Sequence, residues 1–453
     1  TGAWGIVPVM PTLKTVTLGC KVNQYETQYA REGFKRLGYR EAVNGEAADL
    51  ILVNSCTVTA ESEAKSRKII RRLARKNPRA EIIVMGCYAT RAADDVASLP
   101  GVVQVIKDKR ELPDLLARWG LLDVPRGIST FEGRHRAWVK VQDGCNDGCS
   151  YCIIPLVRPV LASRPVDDVL EEISRLTAAG FAEIVLTGIH LGHYGIDFGQ
   201  ASGATTNLRS VPGLSASALS PHHFHTPGPL VDLLRRIVFL PGEFRVRLSS
   251  IEASEVTPEL LDIMAEHPQR VCPHLHIPMQ SGSNRILEKM RRRWPIEKFI
   301  DRCHEIGDRL DLPALTTDVI VGFPGETEDD FLATCRAVEE IGFSKIHVFR
   351  FSPRQGTEAA TMPNRVPQRI HQQWAAHLAK VEKHLAKQYL EKLQGKMIQV
   401  LVEGNLADSP DRLLGTADRY VMVELPGQAD LIGRLINVQV DAVMDGRLRS
   451  EGL

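Results

Sequence analysis

Three cysteines in one short loop constrain this chain more than any other feature. They are Cys145, Cys149 and Cys152 in the stretch GCNDGCSYC, a C-x3-C-x2-C spacing that follows an expected strand over residues 137–141. A structural zinc site normally closes with four ligands, and ferredoxin clusters also take four cysteines. The next cysteine, Cys272, lies far downstream, so one iron of a four-iron cluster held here would lack a protein ligand. The spacing predicts an iron-sulfur centre whose open iron binds a small molecule and passes it an electron. Three free thiols, or a zinc site with a distant fourth ligand, are the alternatives.

A second set of three cysteines is spread over the first 90 residues. Cys20 follows VTLG, Cys56 follows LILVNS, and Cys87 follows IIVMG, which places each just after an expected strand. Strands and helices alternate here, an order that favours a parallel sheet with helices on both faces. Open sheets of this kind gather ligands at the carboxyl ends of their strands. We therefore expect the three thiols to converge in the fold, although three buried small residues would give the same pattern.

The motifs around both sets resemble those of the radical S-adenosylmethionine methylthiotransferases. GCNDGCSYCIIP resembles their cluster loop, and LGCKVNQYE, NSCTVTAESEAKSRK and GCYA resemble their N-terminal domain. The resemblance implies two 4Fe-4S clusters and S-adenosylmethionine as cofactors. One cluster binds and cleaves S-adenosylmethionine to a 5′-deoxyadenosyl radical, and an auxiliary cluster carries the sulfur to be transferred. The ligands that the resemblance assigns are Cys145, Cys149 and Cys152 for the first cluster and Cys20, Cys56 and Cys87 for the auxiliary one.

Loops after the central strands supply further candidate contacts to the cofactor. Glycine lets the backbone approach a ligand closely, while serine, glutamine and glutamate can hold its amine, carboxylate and ribose groups. These loops read LTGIHLG, RLSSIE, HIPMQSGS and TDVIVGFPGETE, in the order of the methylthiotransferase barrel. The segment PLVRPVLASRP departs from the family pattern, so no contact is carried over to Arg158. The candidate cofactor-binding residues are Tyr151, which would cover the adenine, and Thr187, Gly188, Ser250, Glu252 and Gln280.

Other cysteines and histidines have ordinary explanations. Cys272, Cys303 and Cys335 lack cluster spacing and are interpreted as packing residues. His274 and His276 share one face of an expected strand, where packed, hydrogen-bonded histidines are favoured over metal ligands.

The order of the elements predicts an α/β chain with several domains. With 453 residues, about three domains are expected. We assign 12–125 to an N-terminal methylthiotransferase domain with a parallel sheet and 131–365 to a partial (βα) radical S-adenosylmethionine barrel. Within the barrel, 202–228 is interpreted as a mobile insertion rich in Ser, Ala, Pro and His. A linking helix is expected over 366–395. The region 396–453 is expected to form a small β-barrel that resembles the RNA-binding TRAM domain.

Charge and composition limit the possible partners. The net charge is only +1, so contact with RNA must come from local patches. One such patch is the basic helix of residues 65–79, which is either a phosphate-contacting surface or a solvated face; a second is the short run Lys289 and Arg291–Arg293. No apolar run approaches the ~18 residues of a membrane span, and the N-terminal residues do not resemble a signal peptide. We expect a cytoplasmic protein with no membrane partner.

The expected function is a tRNA methylthiotransferase. LGCKVNQYE and NSCTVTAES resemble the branch that modifies N6-threonylcarbamoyladenosine at position 37, beside the tRNA anticodon. The expected partners are the tRNA anticodon stem-loop and a protein that supplies electrons. The alternatives are action on N6-isopentenyladenosine of tRNA, action on a ribosomal-protein aspartate, and a noncatalytic zinc-containing RNA-binding protein.

Overall fold

The computed structural model describes residues 10–43, 45–199, 228–407 and 409–452. The predicted insertion at 202–228 lies outside the described residues except for Gly228. None of the described helices is both long and apolar enough to cross a membrane.

The first sheet has five parallel strands in the order β2-β1-β3-β4-β5. Its central strand LILVNS is buried at every position, so both faces need a layer of helices. The predicted parallel sheet is confirmed. The strands are β1 (Thr12–Thr17), β2 (Arg40–Glu41), β3 (Leu50–Ser55), β4 (Glu81–Gly86) and β5 (Val102–Val105). The helices are α1 (Lys21–Arg36), α2 (Ala60–Lys76), α3 (Cys87–Arg91), α4 (Ala93–Ala97) and α5 (Leu112–Arg118).

The central region is an open half-barrel. One sheet has the order β7-β6-β8-β9 and the next has the order β10-β11-β12. Isolated parallel bridges Val246–Val271 and Ser250–His276 join the two sheets, so six parallel strands form one curved wall. This confirms the predicted partial barrel. The strands are β6 (Arg136–Asp143), β7 (Ala162–Ser163), β8 (Glu183–Gly188), β9 (Arg245–Leu248), β10 (His274–His276), β11 (Ala314–Val321) and β12 (Lys345–Arg350). The helices are α6 (Ile154–Val157), α7 (Val166–Ala178), α8 (Pro229–Val238), α9 (Pro258–Glu266), α10 (Asn284–Lys289), α11 (Ile296–Arg309) and α12 (Glu328–Ile341).

The chain ends with a long helix and a mainly antiparallel sheet. The helix is α13 (Gln368–Lys392), and the sheet order is β16-β13-β14-β15-β18-β17. The sequence pattern missed β14, because Pro, Asp and Gly within SPDRLLGTA suggested a turn. The strands are β13 (Met397–Leu406), β14 (Ser409–Ala417), β15 (Met422–Pro426), β16 (Leu435–Gln439), β17 (Ala442–Met444) and β18 (Arg447–Arg449).

Buried arginines dock this last sheet onto the half-barrel. Arg245 donates to the carbonyl oxygens of Gln399 and Thr416, at 2.7 and 2.8 Å. Arg247 donates to the carbonyl of Asp418 at 2.7 Å. Both arginines pair with the fully buried Glu183. Burial alone would raise the pKa of Glu183, but its arginine neighbours hold that pKa well below the ordinary value.

Candidate active site

The three N-terminal cysteines lie at one edge of the first sheet. Cys20, Cys56 and Cys87 follow the adjacent parallel strands β1, β3 and β4, so the topology brings them together. Gly86, with φ of +99°, makes the turn into Cys87, and a Cβ atom there would lie 2.3 Å from the carbonyl oxygen of Ser55. Only glycine permits this close approach of the two strand ends. The loops that carry the three cysteines therefore lie side by side at this end of the sheet.

Asn23 ties the first of these loops to the second. Its Nδ2 donates to the carbonyl oxygens of Leu18 and Ser55, at 2.8 and 3.1 Å, so the turn that carries Cys20 is fixed against the end of β3. The Sγ of Cys20 lies 3.9 Å from the Oδ1 of Asn23. Cys20 is exposed, whereas Cys56 and Cys87 are buried.

The three central cysteines lie on a tight loop after β6. Gly144 has φ of +82°, and a Cβ atom there would lie 1.9 Å from the carbonyl oxygen of Val160. The amide of Cys145 donates to the carbonyl of Arg158 at 3.1 Å, and Ser150 is held by α10, its Oγ donating to the carbonyl of Lys289 at 2.7 Å. Burial raises the pKa of Cys149 and that of Cys152, the latter to about 12. A thiolate at these positions therefore needs a nearby positive charge, which a bound metal provides.

A cavity of about 350 Å³ opens above this loop. All three central cysteines line it, and so do four of the six predicted cofactor-binding residues: Tyr151, Ser250, Glu252 and Gln280. Thr187 and Gly188 do not line it. They end β8 beneath the side chain of Gln142, whose Oε1 accepts the amide of His190 at 2.9 Å. The residues after them, Ile189 and His190, line the cavity in their place.

The loops that carry the two cysteine sets meet beside this cavity. Val58 and Thr59, which follow Cys56, line its wall together with the central cysteines. Cys87 packs in one apolar cluster with Ile153 and Val157, and Ile153 is the residue after Cys152.

Arg158 joins the two domains beside the N-terminal cysteines. Its guanidinium donates to Glu26 at 2.8 and 2.9 Å and to Asp143 at 2.7 Å. It also donates to the Oδ1 of Asn23 at 3.0 Å, and its Nε lies 3.4 Å from the Sγ of Cys87. Burial alone would raise the pKa of Glu26, but Arg158 and Lys140 hold it below its ordinary value. Sequence reasoning missed this network, and its signal was the N-x-x-E spacing of Asn23 and Glu26 after Cys20.

A charged histidine borders the central cysteine loop. His190 Nδ1 lies 2.9 Å from Asp147 and 3.7 Å from the Sγ of Cys145, while its Nε2 lies 2.6 Å from Glu255. Burial alone would lower the pKa of His190, but these hydrogen bonds raise it to about 12. His190 was quoted within LTGIHLG but not singled out. Cys145, Asp147 and His190 place ligand atoms within 4.8 Å of one another, so this corner is also where a zinc ion would compete.

The basic run after α10 is largely paired with acids. Arg292 binds both carboxylate oxygens of Glu252 in the cavity wall, and Arg293 pairs with Asp147 at 2.7 Å. Arg291 pairs with Glu358 at 2.5 Å. Arg292 therefore fixes Glu252, and the charge of all three arginines is already matched by carboxylates.

Comparison with known proteins identifies the family. Residues 12–107 match the family described as "Uncharacterized protein family UPF0004", and residues 139–338 match the radical SAM superfamily. The chain is 35% identical over 450 residues to the threonylcarbamoyladenosine tRNA methylthiotransferase MtaB of Bacillus subtilis, covering 95% of this chain and 94% of the relative. The chain belongs to the radical SAM methylthiotransferase family. It is therefore an enzyme, and membership implies a 4Fe-4S cluster and S-adenosylmethionine as cofactors.

Further relatives agree with this family. MtaB of Thermotoga maritima is 35% identical, with 96% of each chain covered. The tRNA-2-methylthio-N(6)-dimethylallyladenosine synthase of Moorella thermoacetica is 30% identical, with 98% of this chain and 99% of the relative covered. Among solved structures, the radical S-adenosylmethionine methyltransferase TsrM from Kitasatospora setae matches with a TM-score of 0.52 and 14% identity, covering 78% of this chain and 77% of that one. This last match concerns the fold alone.

Proposed function

We propose that this enzyme adds a methylthio group to N6-threonylcarbamoyladenosine at position 37 of tRNA. The observation that carries the proposal is that the loop after Cys56 and the loop of the three central cysteines line one cavity, while Cys87 packs against Ile153 beside Cys152. The MtaB relatives, at 35% identity over nearly the whole chain, support this substrate. The dimethylallyladenosine synthases align at 30–33% identity, so the isopentenyl nucleoside is the rival substrate.

The cysteines would hold two 4Fe-4S clusters, with Cys145, Cys149 and Cys152 on one and Cys20, Cys56 and Cys87 on the other. Three thiols on each side leave one iron of each cluster open. Buried thiols that are hard to ionise without a cation fit such a group. When bound, the clusters would supply the electron that cleaves S-adenosylmethionine and the sulfur that is transferred. The packing of Cys87 against Ile153, the residue after Cys152, would bring the two chemistries together.

The chain's own groups would hold S-adenosylmethionine over the central loop. The Glu252 carboxylate, fixed by Arg292, would accept hydrogen bonds from the cofactor. The backbone of Gln280 has φ of +69°, and its backbone N–H donates to the carbonyl of Asp318 at 2.8 Å, so the backbone fixes where this side chain leaves the cavity wall. Tyr151 lines the same wall and would cover the adenine. Apolar neighbours of these groups would exclude water.

The tRNA would approach along α2. This helix begins at the cavity rim, where Thr59 caps it, and carries the basic residues outward from there. The exposed basic residues on and just beyond it are Lys65, Lys68, Arg71, Arg72, Arg75, Lys76 and Arg79. Four further points complete the proposal. The tRNA would be bound through its anticodon stem-loop, and the last sheet would have a TRAM-like role. A separate protein would supply electrons, and the enzyme would be cytoplasmic.

Nucleoside analysis tests the substrate. A strain that lacks the gene should lose the methylthio group from threonylcarbamoyladenosine alone, measured by mass spectrometry of digested tRNA. Loss from the isopentenyl nucleoside instead would move the assignment to the rival branch. An intact set of tRNA nucleosides would refute tRNA as the substrate and favour a ribosomal protein.

Metal analysis tests the clusters. Anaerobic reconstitution should give about eight irons and eight sulfides per chain. Changing either set of cysteines to alanine should halve both counts. Cys303→Ala is the matched control, because Cys303 is buried in the apolar core, and it should keep the full count. Stoichiometric zinc without iron would contradict the assignment.

A further inference from the structure

A polar cluster lies on the half-barrel wall beside the cavity. His276 on β10, Asp318 on β11 and His347 on β12 place side-chain nitrogen and oxygen atoms within 4.8 Å of one another. The Nε2 of His276 lies 3.3 Å from the Oδ1 of Asp318, and its Nδ1 lies 2.9 Å from the Oγ1 of Thr316. The rings of His276 and His347 are 5.8 Å apart. Asp318 is therefore paired with His276, and a ring nitrogen of His347 lies within 4.8 Å of it.

Asp318 also lines the cavity that the central cysteines line. Two residues from the end of the neighbouring strand, Phe349 and Arg350, line it as well. Phe349 is 47% exposed, although large aromatic side chains are usually covered. Its open ring marks a surface that a flat ligand can cover.

Arg350 differs from the other arginine in this cavity. Arg292 is bound to Glu252, so its charge is matched within the protein. Arg350 is exposed, and across the described ranges it has no ion pair or side-chain hydrogen bond. The cavity wall thus offers a hydrogen-bond acceptor, an aromatic face and an unmatched positive charge.

We propose that Asp318, Phe349 and Arg350 form the subsite that binds the modified adenosine, with His276 as a positioning residue for Asp318. This inference rests on the proposed function and specifies how the same site selects its substrate. Purine rings stack on exposed aromatic side chains. A carboxylate accepts hydrogen bonds from the N–H groups of the ureido link, and a guanidinium binds a carboxylate in a forked geometry.

Each of these groups matches one part of N6-threonylcarbamoyladenosine. The purine would stack on Phe349, Asp318 would accept from the ureido N–H groups, and Arg350 would pair with the carboxylate of the threonyl group. An isopentenyl side chain has no carboxylate and no ureido group, so Arg350 would lose its solvent contacts without gaining an ionic partner. Discrimination between the two nucleosides therefore depends on Arg350.

Binding of synthetic RNA tests this subsite. The probes are anticodon stem-loops that carry threonylcarbamoyladenosine, isopentenyladenosine or adenosine at position 37, with affinity measured anaerobically on the reconstituted enzyme by fluorescence anisotropy. Arg350→Gln should weaken binding of the threonylcarbamoyl RNA about ten- to a hundred-fold and leave binding of the adenosine RNA unchanged. Arg369→Gln, at an exposed arginine on α13, is the matched control and should change neither.

A second variant gives a readout that misfolding would not mimic. Asp318→Asn should keep its iron, while more 5′-deoxyadenosine is released per methylthio product, because the nucleoside is held less firmly. Stoichiometric zinc or manganese in the wild-type enzyme that is lost in Asp318→Asn would overturn the subsite in favour of a metal site.

The outcomes separate the two proposals. If wild-type enzyme prefers the isopentenyl RNA, the proposed function fails. If it prefers the threonylcarbamoyl RNA and Arg350→Gln keeps that preference, only the subsite is wrong.

Discussion

Replacing Arg158 by alanine removes the cation that holds the N-terminal sheet against the half-barrel. Its side chain is only 2% exposed, and its partners Glu26 and Asp143 are 4% and 11% exposed. Loss of one member of a buried charged network typically costs about 3–5 kcal/mol, because the remaining charges stay buried without their partner. Lys140 would remain 2.9 Å from Glu26 and 2.8 Å from Asp143. We therefore expect about 3 kcal/mol, the lower end of that range.

Hydrogen exchange on the reconstituted enzyme measures this loss of stability locally, whereas thermal melting of a whole multidomain chain does not. Amides of α1 and of the segment 154–158 should lose about a hundred-fold in protection, which corresponds to about 3 kcal/mol. Amides of the last sheet should be unchanged. Arg236→Ala is the matched control: its pair with Asp167 is 53% and 86% exposed, so little change is expected.

The effect should depend on pH in a defined direction. The pKa values of Glu26 and Asp143 are held below their ordinary values in the fold. Depressed carboxyl pKa values stabilise the folded state above the unfolded pKa of about 4, and this contribution is lost as pH falls through the folded values. The difference in amide protection between wild type and Arg158→Ala should thus have its full size at pH 7 and become smaller below about pH 4. Equal protection in Arg158→Ala and Arg236→Ala at pH 7 would refute the reasoning.

Three further changes test other parts of the structure. Gly144→Ala should lose about half of the iron, measured by chemical analysis, because its Cβ atom would meet the carbonyl oxygen of Val160. The control Gly148→Ala, which has open space around it, should keep all of the iron. Changing Arg71, Arg72 and Arg75 together to Gln should weaken tRNA binding and lower the slope of log affinity against log salt by roughly 0.7–0.9 per lost phosphate contact. An unchanged slope would show that this face of α2 is only solvated. The control is Lys298→Gln on α11. Arg247→Ala should leave the charge of Glu183 undercompensated and free the carbonyls of Ala417 and Asp418. Limited proteolysis near residues 393–397 should therefore become faster, whereas Arg434→Ala, at an exposed arginine of the last domain, should be cleaved at the wild-type rate.

The elements with strong local patterns were predictable from the sequence. Helices Val166–Ala178, Pro258–Glu266 and Glu328–Ile341 lie where their apolar spacing predicts them, and the buried runs LILVNS and EIIVMG are strands. Strand β14 was missed, because its Pro, Asp and Gly residues resemble a turn and only pairing with β13 and β15 makes it a strand. Tertiary pairing supplied hydrogen bonds that local propensity did not suggest.

The sequence by itself determined the chemistry that this chain can hold. The six cysteines were recognisable as candidate cluster ligands, because they have a fixed local spacing or follow expected strands and the residues beside them form recognisable motifs. Only the tertiary structure decided which charges face each other. Arg158 and Glu26 are 132 residues apart along the chain, and Asp318 and His276 are 42 apart, so no local pattern links them. Their pairing arises because buried charges must find partners once the sheets pack, and that requirement acts through space, not along the sequence.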